Sequence, residues 1–234
     1  MGYRAVFFDA GETIVYPHPS FPDLLAQILR GAGHDIDPAI IREKLHVVAD
    51  IFTTASSEGE LWSTSPERSR RFWDRVYGRL LAELGVPFGE ELATAIYTTF
   101  TDVANYRLFP DVLAALDRLR SAGIRMGVVS NFEEWLERLL ESLGVTPYFD
   151  VRVISGVEGV EKPDLKIFRL ALERMEALPA ESAYVGDSPQ FDVEPATSLG
   201  MTGVLLDRRG RFPDHRGPRI TSLEELPDVL GLAA

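Results

Sequence analysis

Four side chains that could act on a phosphate stand beside short apolar segments of this sequence. Asp9, Ser130 and Asp187 each end or directly follow an apolar run, and Lys162 precedes a proline that could open a helix. Short apolar runs bounded by turn residues are typical of buried strands. Because ligands bind at the carboxyl ends of the strands in open parallel sheets, we expect these side chains to converge there.

The residue types in this set favour a phosphate held with the help of a hard cation. Mg²⁺ usually takes one or two protein carboxylates and leaves its other positions to water and substrate phosphate. A lysine neutralises phosphate as a point charge. A hydroxyl and backbone N–H groups at a helix start can hold phosphate oxygens. The sequence therefore predicts Mg²⁺ as cofactor and a small phosphorylated metabolite as partner.

Each of these side chains also has a purely structural interpretation. Ser130 could cap a helix, as serine often does, and Lys162 could be a solvated surface lysine. Asp192 could be a first-turn charge that the helix dipole stabilises, and we interpret Asp164 in that way. Because these residues occur together in one sequence, we favour a functional role for Ser130, Lys162 and Asp192.

The elements that must position these residues alternate between strand and helix after residue 107. Such alternation is typical of βαβ units, and therefore of a Rossmann-like parallel sheet covered on both faces. Residues 208–219, rich in Arg, Gly and Pro, are expected to form a surface loop. The predicted strands are 5–8, 125–129, 151–154, 183–185 and 202–206, and the predicted helices are 112–122, 133–143, 163–175, 191–199 and 222–230.

A helical insert interrupts this pattern. Its apolar residues recur at helical spacing, and proline-rich connectors precede and follow it. We expect four helices here, of which the second begins at Pro38 with Asp37 as its N-cap and runs on to Phe52. The aromatic residues Trp62, Phe72 and Trp73 are expected to pack its core. The predicted domains are an α/β core at 1–16 and 107–234 and a helical cap at 17–106.

Composition narrows the class of protein. The net charge of −12 argues against a nucleic-acid binder, which would show a basic face. The absence of cysteine excludes disulfides and thiolate metal sites. No apolar run approaches the roughly 20 residues of a membrane span, and the N-terminus lacks the features of a signal peptide. We expect a soluble cytoplasmic protein without a membrane partner, of unknown oligomeric state.

Four short motifs, in order, resemble the signature motifs of the haloacid dehalogenase (HAD) superfamily. The sequence carries Asp9 followed by Thr13, Ser130-Asn131, Lys162-Pro163-Asp164, and Gly186-Asp187-Ser188 followed by Asp192. The helical insert between the first two motifs resembles that family's cap. The resemblance covers essentially the whole chain and implies a hydrolase with a HAD-like α/β core.

The resemblance also implies roles for individual residues. Asp9 would be the nucleophile that forms an aspartyl-phosphate, a covalent route that splits one difficult displacement into two steps. Ser130, Asn131 and Lys162 would hold the phosphoryl group, and Lys162 would also position Asp9. Thr13 would brace the nucleophile loop.

A second set of roles concerns the metal. Asp9 and Asp187 would bind Mg²⁺ together with the backbone carbonyl of Gly11. Asp192 would be a further ligand or would orient the ligands. The implied activity is that of a Mg²⁺-dependent small-molecule phosphatase.

One position departs from the family pattern. Phosphatases of this superfamily carry a second Asp two residues after the nucleophile, which protonates the leaving group, and here that residue is Gly11. General acid–base help is worth roughly 10²–10⁴ in rate. Glu12 or His18 could substitute, and Gly11 itself could adopt a positive φ.

Three hypotheses follow from this departure. The chain is a slow phosphatase, or it runs another HAD chemistry, or it is a non-catalytic relative that binds phosphate or a metabolite. Metal-free haloacid dehalogenases lack the second Asp, but they also lack the acidic pair present here as Asp187 and Asp192. Phosphonatases use a cap lysine, for which Lys44 is the candidate. The motif set favours the phosphatase.

Overall fold

The computed structural model describes residues 2–232. The chain forms two compact units. One contains the chain up to Val15 together with the segment from Leu108 onwards, and the other contains Tyr16–Arg107. Among the described residues, no helix is both long and apolar enough to cross a membrane.

The first unit is built on a parallel sheet of six strands, which confirms the predicted fold class. The strands of this sheet are β1 (Ala5–Phe8), β4 (Arg125–Ser130), β5 (Val151–Ile154), β6 (Ser182–Gly186), β7 (Thr202–Leu206) and β8 (Arg219–Ile220). Their order across the sheet is β5-β4-β1-β6-β7-β8, which is the Rossmann order with its topological switch between β1 and β6.

The central position of β1 follows from its composition. All four of its side chains are fully buried, as expected for a parallel strand that is covered on both faces. Its residue Phe7 pairs with Gly127 of β4 on one side and with Tyr184 of β6 on the other. Asp9 therefore leaves the sheet between the ends of two neighbouring strands, at the switch point.

Helices cover this sheet. The longest, α9 (Leu165–Met175), is capped by Asp164, whose carboxylate accepts a hydrogen bond from the backbone N–H of Lys166 at 2.9 Å. Asp164 is thus a helix cap, close to its predicted first-turn role. The other helices of this unit are α6 (Val112–Ser121), α7 (Leu136–Ser142), α8 (Ser155–Glu158), α10 (Glu194–Ser198) and α11 (Leu226–Val229).

Several boundaries predicted from sequence were wrong. The helix predicted at 133–143 begins only at Leu136, and the loop predicted at 208–219 already contains the first residue of strand β8. The helix predicted at 191–199 is a π-helical turn, Pro189–Val193, followed by α10. Hydrophobic periodicity cannot detect this turn, because a π-helix inserts one extra residue into the helical pattern.

The second unit is helical, with five helices rather than the predicted four. The helix that begins at Pro38, capped by Asp37 as predicted, ends at Glu43. Between Lys44 and Val48 the backbone makes i→i−3 hydrogen bonds, which separate two helices. The helices are α1 (Phe21–Gly31), α2 (Pro38–Glu43), α3 (His46–Ser57), α4 (Pro66–Glu83) and α5 (Glu90–Thr101).

The aromatic residues of this unit pack against one another, as predicted. Trp62 and Phe72 are buried and stacked, with ring centroids 5.4 Å apart, and Phe52 meets both rings edge-on. Such pairs add about 0.5–1.5 kcal/mol beyond the burial of their area. These rings therefore serve the core of the helical unit.

The connectors between the two units hold structure that the sequence did not reveal. Strand β2 (Val15–Pro17) and strand β3 (Tyr106–Leu108) form a two-stranded sheet. The prolines that suggested stiff linkers are compatible with short edge strands, where a missing N–H costs little.

A buried ion pair fixes the loop that follows Asp9. Arg208 makes a bidentate contact with Asp111, at 2.7 and 2.9 Å, and also donates to the carbonyl oxygen of Thr13 at 2.9 Å. Burial by itself would raise the pKa of Asp111, but its hydrogen bonds to Arg208, Ser222 and Leu223 lower it below the ordinary value. The carboxylate of Asp111 therefore joins three distant parts of the core.

We predict that Asp111→Asn lowers the free energy of unfolding by about 3–5 kcal/mol at neutral pH, because it leaves the Arg208 charge buried without its partner. The effect, read from urea denaturation, should shrink as pH falls below about 4, where the carboxyl of the unfolded chain takes up a proton, and should vanish as pH passes the lower pKa of the folded state. The control is Asp228→Asn, which breaks a solvent-exposed pair with Arg118 and should cost less than about 1 kcal/mol. Equal losses in the two variants would contradict the prediction.

Candidate active site

The carboxylate of Asp9 is held in place by three side chains. Its Oδ1 accepts hydrogen bonds from Ser130 Oγ at 3.0 Å and from Lys162 Nζ at 2.7 Å. Its Oδ2 accepts one from Thr13 Oγ1 at 3.2 Å. Thr13 therefore braces the loop that carries Asp9, and Ser130 faces Asp9. Of the two carboxylate oxygens, Oδ2 carries the fewer and longer contacts within residues 2–232.

Lys162 is buried among acceptors. Its ammonium donates to Asp9 at 2.7 Å, to Asp192 at 2.6 Å and to the hydroxyl of Tyr184 at 3.0 Å, which uses all three of its N–H donors. Burial alone would lower the pKa of Lys162, but the carboxylates of Asp192 and Asp9 hold it well above the ordinary value. Lys162 is therefore a fixed positive charge and not a surface lysine.

Asp192 reaches this ammonium from the π-helical turn. Its Oδ2 accepts the backbone N–H of Ser188 at 3.0 Å, and its Oδ1 contacts Lys162. Burial raises the pKa of Asp192, although Lys162 opposes the shift. The carboxylate lies directly against Gly186, where an added Cβ would overlap it. Glycine at the end of β6 is thus required by the position of Asp192.

Asp187 is the most accessible carboxylate of the group. Its side chain is 22% exposed and its Oδ2 accepts a hydrogen bond from Arg211 at 2.8 Å. Burial raises the pKa of Asp187 to about 7, the negative charges of Asp192 and Asp9 add to the shift, and Arg211 opposes it. Negative charge is therefore in excess around Asp187.

The carboxylates fit a hard divalent cation. One oxygen from each of Asp9, Asp187 and Asp192 lies within 4.8 Å of the others. Oxygen ligands from carboxylates are those that Mg²⁺ prefers, and the excess negative charge around Asp187 would be relieved by a cation. Asp9 and Asp192 are also held by Lys162, whereas Asp187 is held by Arg211.

Asn131 contacts the backbone of Lys162. Its side-chain amide donates to the carbonyl oxygen of Lys162 at 2.8 Å and accepts the N–H of the same residue at 2.6 Å. This reciprocal pair fixes the backbone of Lys162. A role of Asn131 in phosphate binding stays a prediction.

The backbone around Gly11, where the sequence departs from the family pattern, differs from the expectation of a positive φ at that residue. The positive φ belongs to Glu12, at 58°, and not to Gly11. A Cβ on Gly11 would have an aromatic carbon of Phe132 at 4.0 Å as its nearest neighbour. The Glu12 carboxylate is paired with Arg209 at 2.6 Å, and His18 lies exposed with its ring 3.4 Å from the hydroxyl of Tyr16.

Sequence reasoning missed residues that support the site from outside the four motifs. Tyr184 Oη accepts from Lys162 and donates to the carbonyl oxygen of Val129 at 2.7 Å. Arg208, Arg209 and Arg211, from the predicted surface loop, contact Thr13, Glu12 and Asp187 respectively. A dense run of arginines in an acidic protein was the available signal.

A sheet of Rossmann order with three carboxylates and a buried lysine at its switch point makes this an α/β protein with an acidic site at the strand ends. The model of the haloacid dehalogenase-like hydrolases matches residues 3–200. The glyceraldehyde 3-phosphate phosphatase of Methanopyrus kandleri is 31% identical over 96% of this chain and 91% of its own length. The chain therefore belongs to the haloacid dehalogenase-like hydrolases.

Solved structures agree with this assignment. A HAD phosphatase from Thermococcus onnurineus is 25% identical, covers 97% of this chain and 98% of its own, and superposes with a TM-score of 0.62. The L-2-haloacid dehalogenase RSc1362 covers both chains completely with a TM-score of 0.76, but at 20% identity it shows the fold alone.

We predict that Gly186→Ala disrupts the site, because its Cβ would overlap the Asp192 carboxylate. Overpacking of this kind typically costs about 1–3 kcal/mol, measurable as a loss in the free energy of unfolding. Gly31→Ala is the control, since a Cβ there meets nothing within 4 Å. Unchanged stability of the Gly186→Ala protein would show that Asp192 can move away without cost.

Proposed function

We propose that this hydrolase is a Mg²⁺-dependent phosphatase of small phosphorylated metabolites that acts through an aspartyl-phosphate on Asp9. The observation that carries the proposal is the arrangement of Asp9 between Lys162, Ser130 and further carboxylates. Similarity to a named phosphatase supports the same activity. Residues 17–106 are proposed as a cap domain that contributes to the choice of substrate.

In the first step an oxygen of Asp9 forms a bond to phosphorus while the bond from phosphorus to the leaving oxygen breaks. We propose Oδ2 as the attacking atom, because Oδ1 is anchored by Ser130 and Lys162. The leaving oxygen takes the bonding electron pair. Lys162 would supply positive charge to the phosphoryl oxygens, and the donors of Lys162 and Ser130 that now meet Asp9 would turn to them.

In the second step a water oxygen bonds to phosphorus while the bond from phosphorus to the Asp9 oxygen breaks, which restores the Asp9 carboxylate and releases inorganic phosphate that carries the hydrogens of the water. The proposed ligands of Mg²⁺ are Asp9, Asp187 and the Gly11 carbonyl, with Asp192 as a ligand or as an orienting group. When bound there, the ion would supply positive charge that lets a dianionic phosphate approach a carboxylate.

The competing hypotheses fit the contacts less well. A metal-free dehalogenase has no use for Asp187, whose pKa is raised to about 7 by burial and, to a smaller extent, by the charges of Asp192 and Asp9. A phosphonatase would require a reactive cap lysine. A non-catalytic phosphate-binding protein does not need Asp9 to be held by three side chains with one oxygen less engaged.

We predict that Asp9→Asn abolishes Mg²⁺-dependent release of phosphate from 4-nitrophenyl phosphate while the protein stays folded. An amide cannot act as the carboxylate nucleophile. Circular dichroism checks the fold, and Asp164→Asn, which alters a helix cap outside the site, serves as the control. Turnover by pure Asp9→Asn protein would remove Asp9 from the nucleophile role. No turnover by the wild type would overturn the proposed function.

We predict that Mg²⁺ binds weakly and that Asp187→Ala removes most of the binding heat in calorimetry. A site with few carboxylates and several waters fills best when phosphate adds its own oxygens. Asp214→Ala, which removes an exposed carboxylate, is the matched control. An unchanged affinity after Asp187→Ala would place the metal elsewhere.

The absence of a second Asp predicts a steep dependence on the leaving group. With Gly11 in place of the general acid and Glu12 paired with Arg209, the leaving oxygen must depart unprotonated. Acyl and activated aryl phosphates should therefore react faster than alkyl phosphates. Gly11→Asp should help the alkyl phosphates most, because the structure leaves room for its Cβ and requires no positive φ.

The measurement is a series of leaving groups on the wild type and on Gly11→Asp. General acid help of roughly 10²–10⁴ sets the scale of the expected gain. A flat series in the wild type would mean that another acid already serves. Glu12→Gln and His18→Ala, tested on the alkyl phosphates, would then identify it.

A further inference from the structure

The segment from Arg208 to Arg219 concentrates positive charge in an acidic protein. Five of its residues are arginines and one, Asp214, is acidic, while the whole chain has a net charge of −12. Arg208 and Arg219 are largely buried in ion pairs with Asp111 and Asp207. Their charges therefore serve the fold. The remaining three arginines are Arg209, Arg211 and Arg216. A role in substrate binding requires that the side chain reaches the site.

Arg211 is the one of these three that touches the proposed metal ligands. Its Nη2 donates to the Oδ2 and to the carbonyl oxygen of Asp187, at 2.8 and 3.3 Å. Within residues 2–232 these are the hydrogen bonds of its side chain, which is 48% exposed. Since a guanidinium has five N–H donors in a planar fork, Nε and Nη1 remain for a ligand.

A cavity of about 310 Å³ opens beside this guanidinium. The centroid of the Phe212 ring lies 5.2 Å from the Arg211 guanidinium carbon, so one side of the guanidinium faces an aromatic ring. The acidic Asp214 on the rim would repel a second dianionic phosphate more than a singly charged group. The cavity is lined by Pro189, Arg211, Phe212, Pro213, Asp214 and His215.

We infer that Arg211 is a specificity-determining residue that binds a carboxylate on the leaving group of the substrate. A guanidinium matches a carboxylate in geometry and charge. Because Arg211 contacts Asp187 and also faces the cavity, the carboxylate it binds lies close to the phosphoryl group. The preferred substrates are phosphate esters of small hydroxy acids. This inference rests on the proposed phosphatase activity and adds the substrate class.

The test compares two aryl phosphates of nearly equal size, 3-carboxyphenyl phosphate and 3-carbamoylphenyl phosphate. The wild type should prefer the carboxylate in kcat/KM by about tenfold or more, the scale of one charge-assisted hydrogen bond. In Arg211→Gln the ratio should fall close to one. Arg216→Gln removes the same charge from the same segment at an exposed position, and it should keep the wild-type ratio.

The ratio separates specificity from positioning. If Arg211 only holds Asp187, Arg211→Gln slows both substrates alike and the ratio stays unchanged, which overturns the inference. A wild-type ratio near one, with both substrates hydrolysed, also overturns it and leaves the phosphatase function standing. Release of phosphate from neither compound overturns the proposed function and the inference together.

Discussion

The ammonium of Lys162 is the interaction on which the site depends. It lies 2.7 Å from Asp9 and 2.6 Å from Asp192, and both carboxylates are almost fully buried. Removing one member of a buried ionic group leaves the others uncompensated, at a cost of about 3–5 kcal/mol. Burial raises the pKa of Asp192, and the charge of Lys162 opposes that rise. The geometry of Asp9 is therefore set by a residue 153 positions away in sequence.

The fold explains how such distant residues come together. In the parallel sheet β1 lies between β4 and β6. Asp9, Ser130 and Asp187 therefore lie together at the carboxyl ends of neighbouring strands. Further contacts then refine their positions. Asn131 fixes the backbone of Lys162, and the π-helical turn brings Asp192 against Gly186. Local irregularities of this kind are common at functional sites, where regular geometry does not aim the side chains.

Much of the fold could be predicted from the sequence, because strands and helices are indicated by short-range patterns of residues. The sheet strands 151–154 and 202–206 were located to the residue, since buried parallel strands are continuous apolar runs. The π-helical turn could not be predicted, because its extra residue depends on packing. The contact of the Asn131 amide with the backbone of Lys162 could not be predicted either, because it joins residues that are 31 positions apart in sequence.

The same distinction applies to the arginines of residues 208–219. Their composition indicates an exposed loop, and no local pattern tells which guanidinium is buried against Asp111 and which meets Asp187 or Glu12. Glu12 illustrates the consequence. Its left-handed backbone, costly for a residue with a Cβ, is accompanied by the ion pair to Arg209. The loop that carries Asp9 is thus held from outside by a segment about 200 residues later.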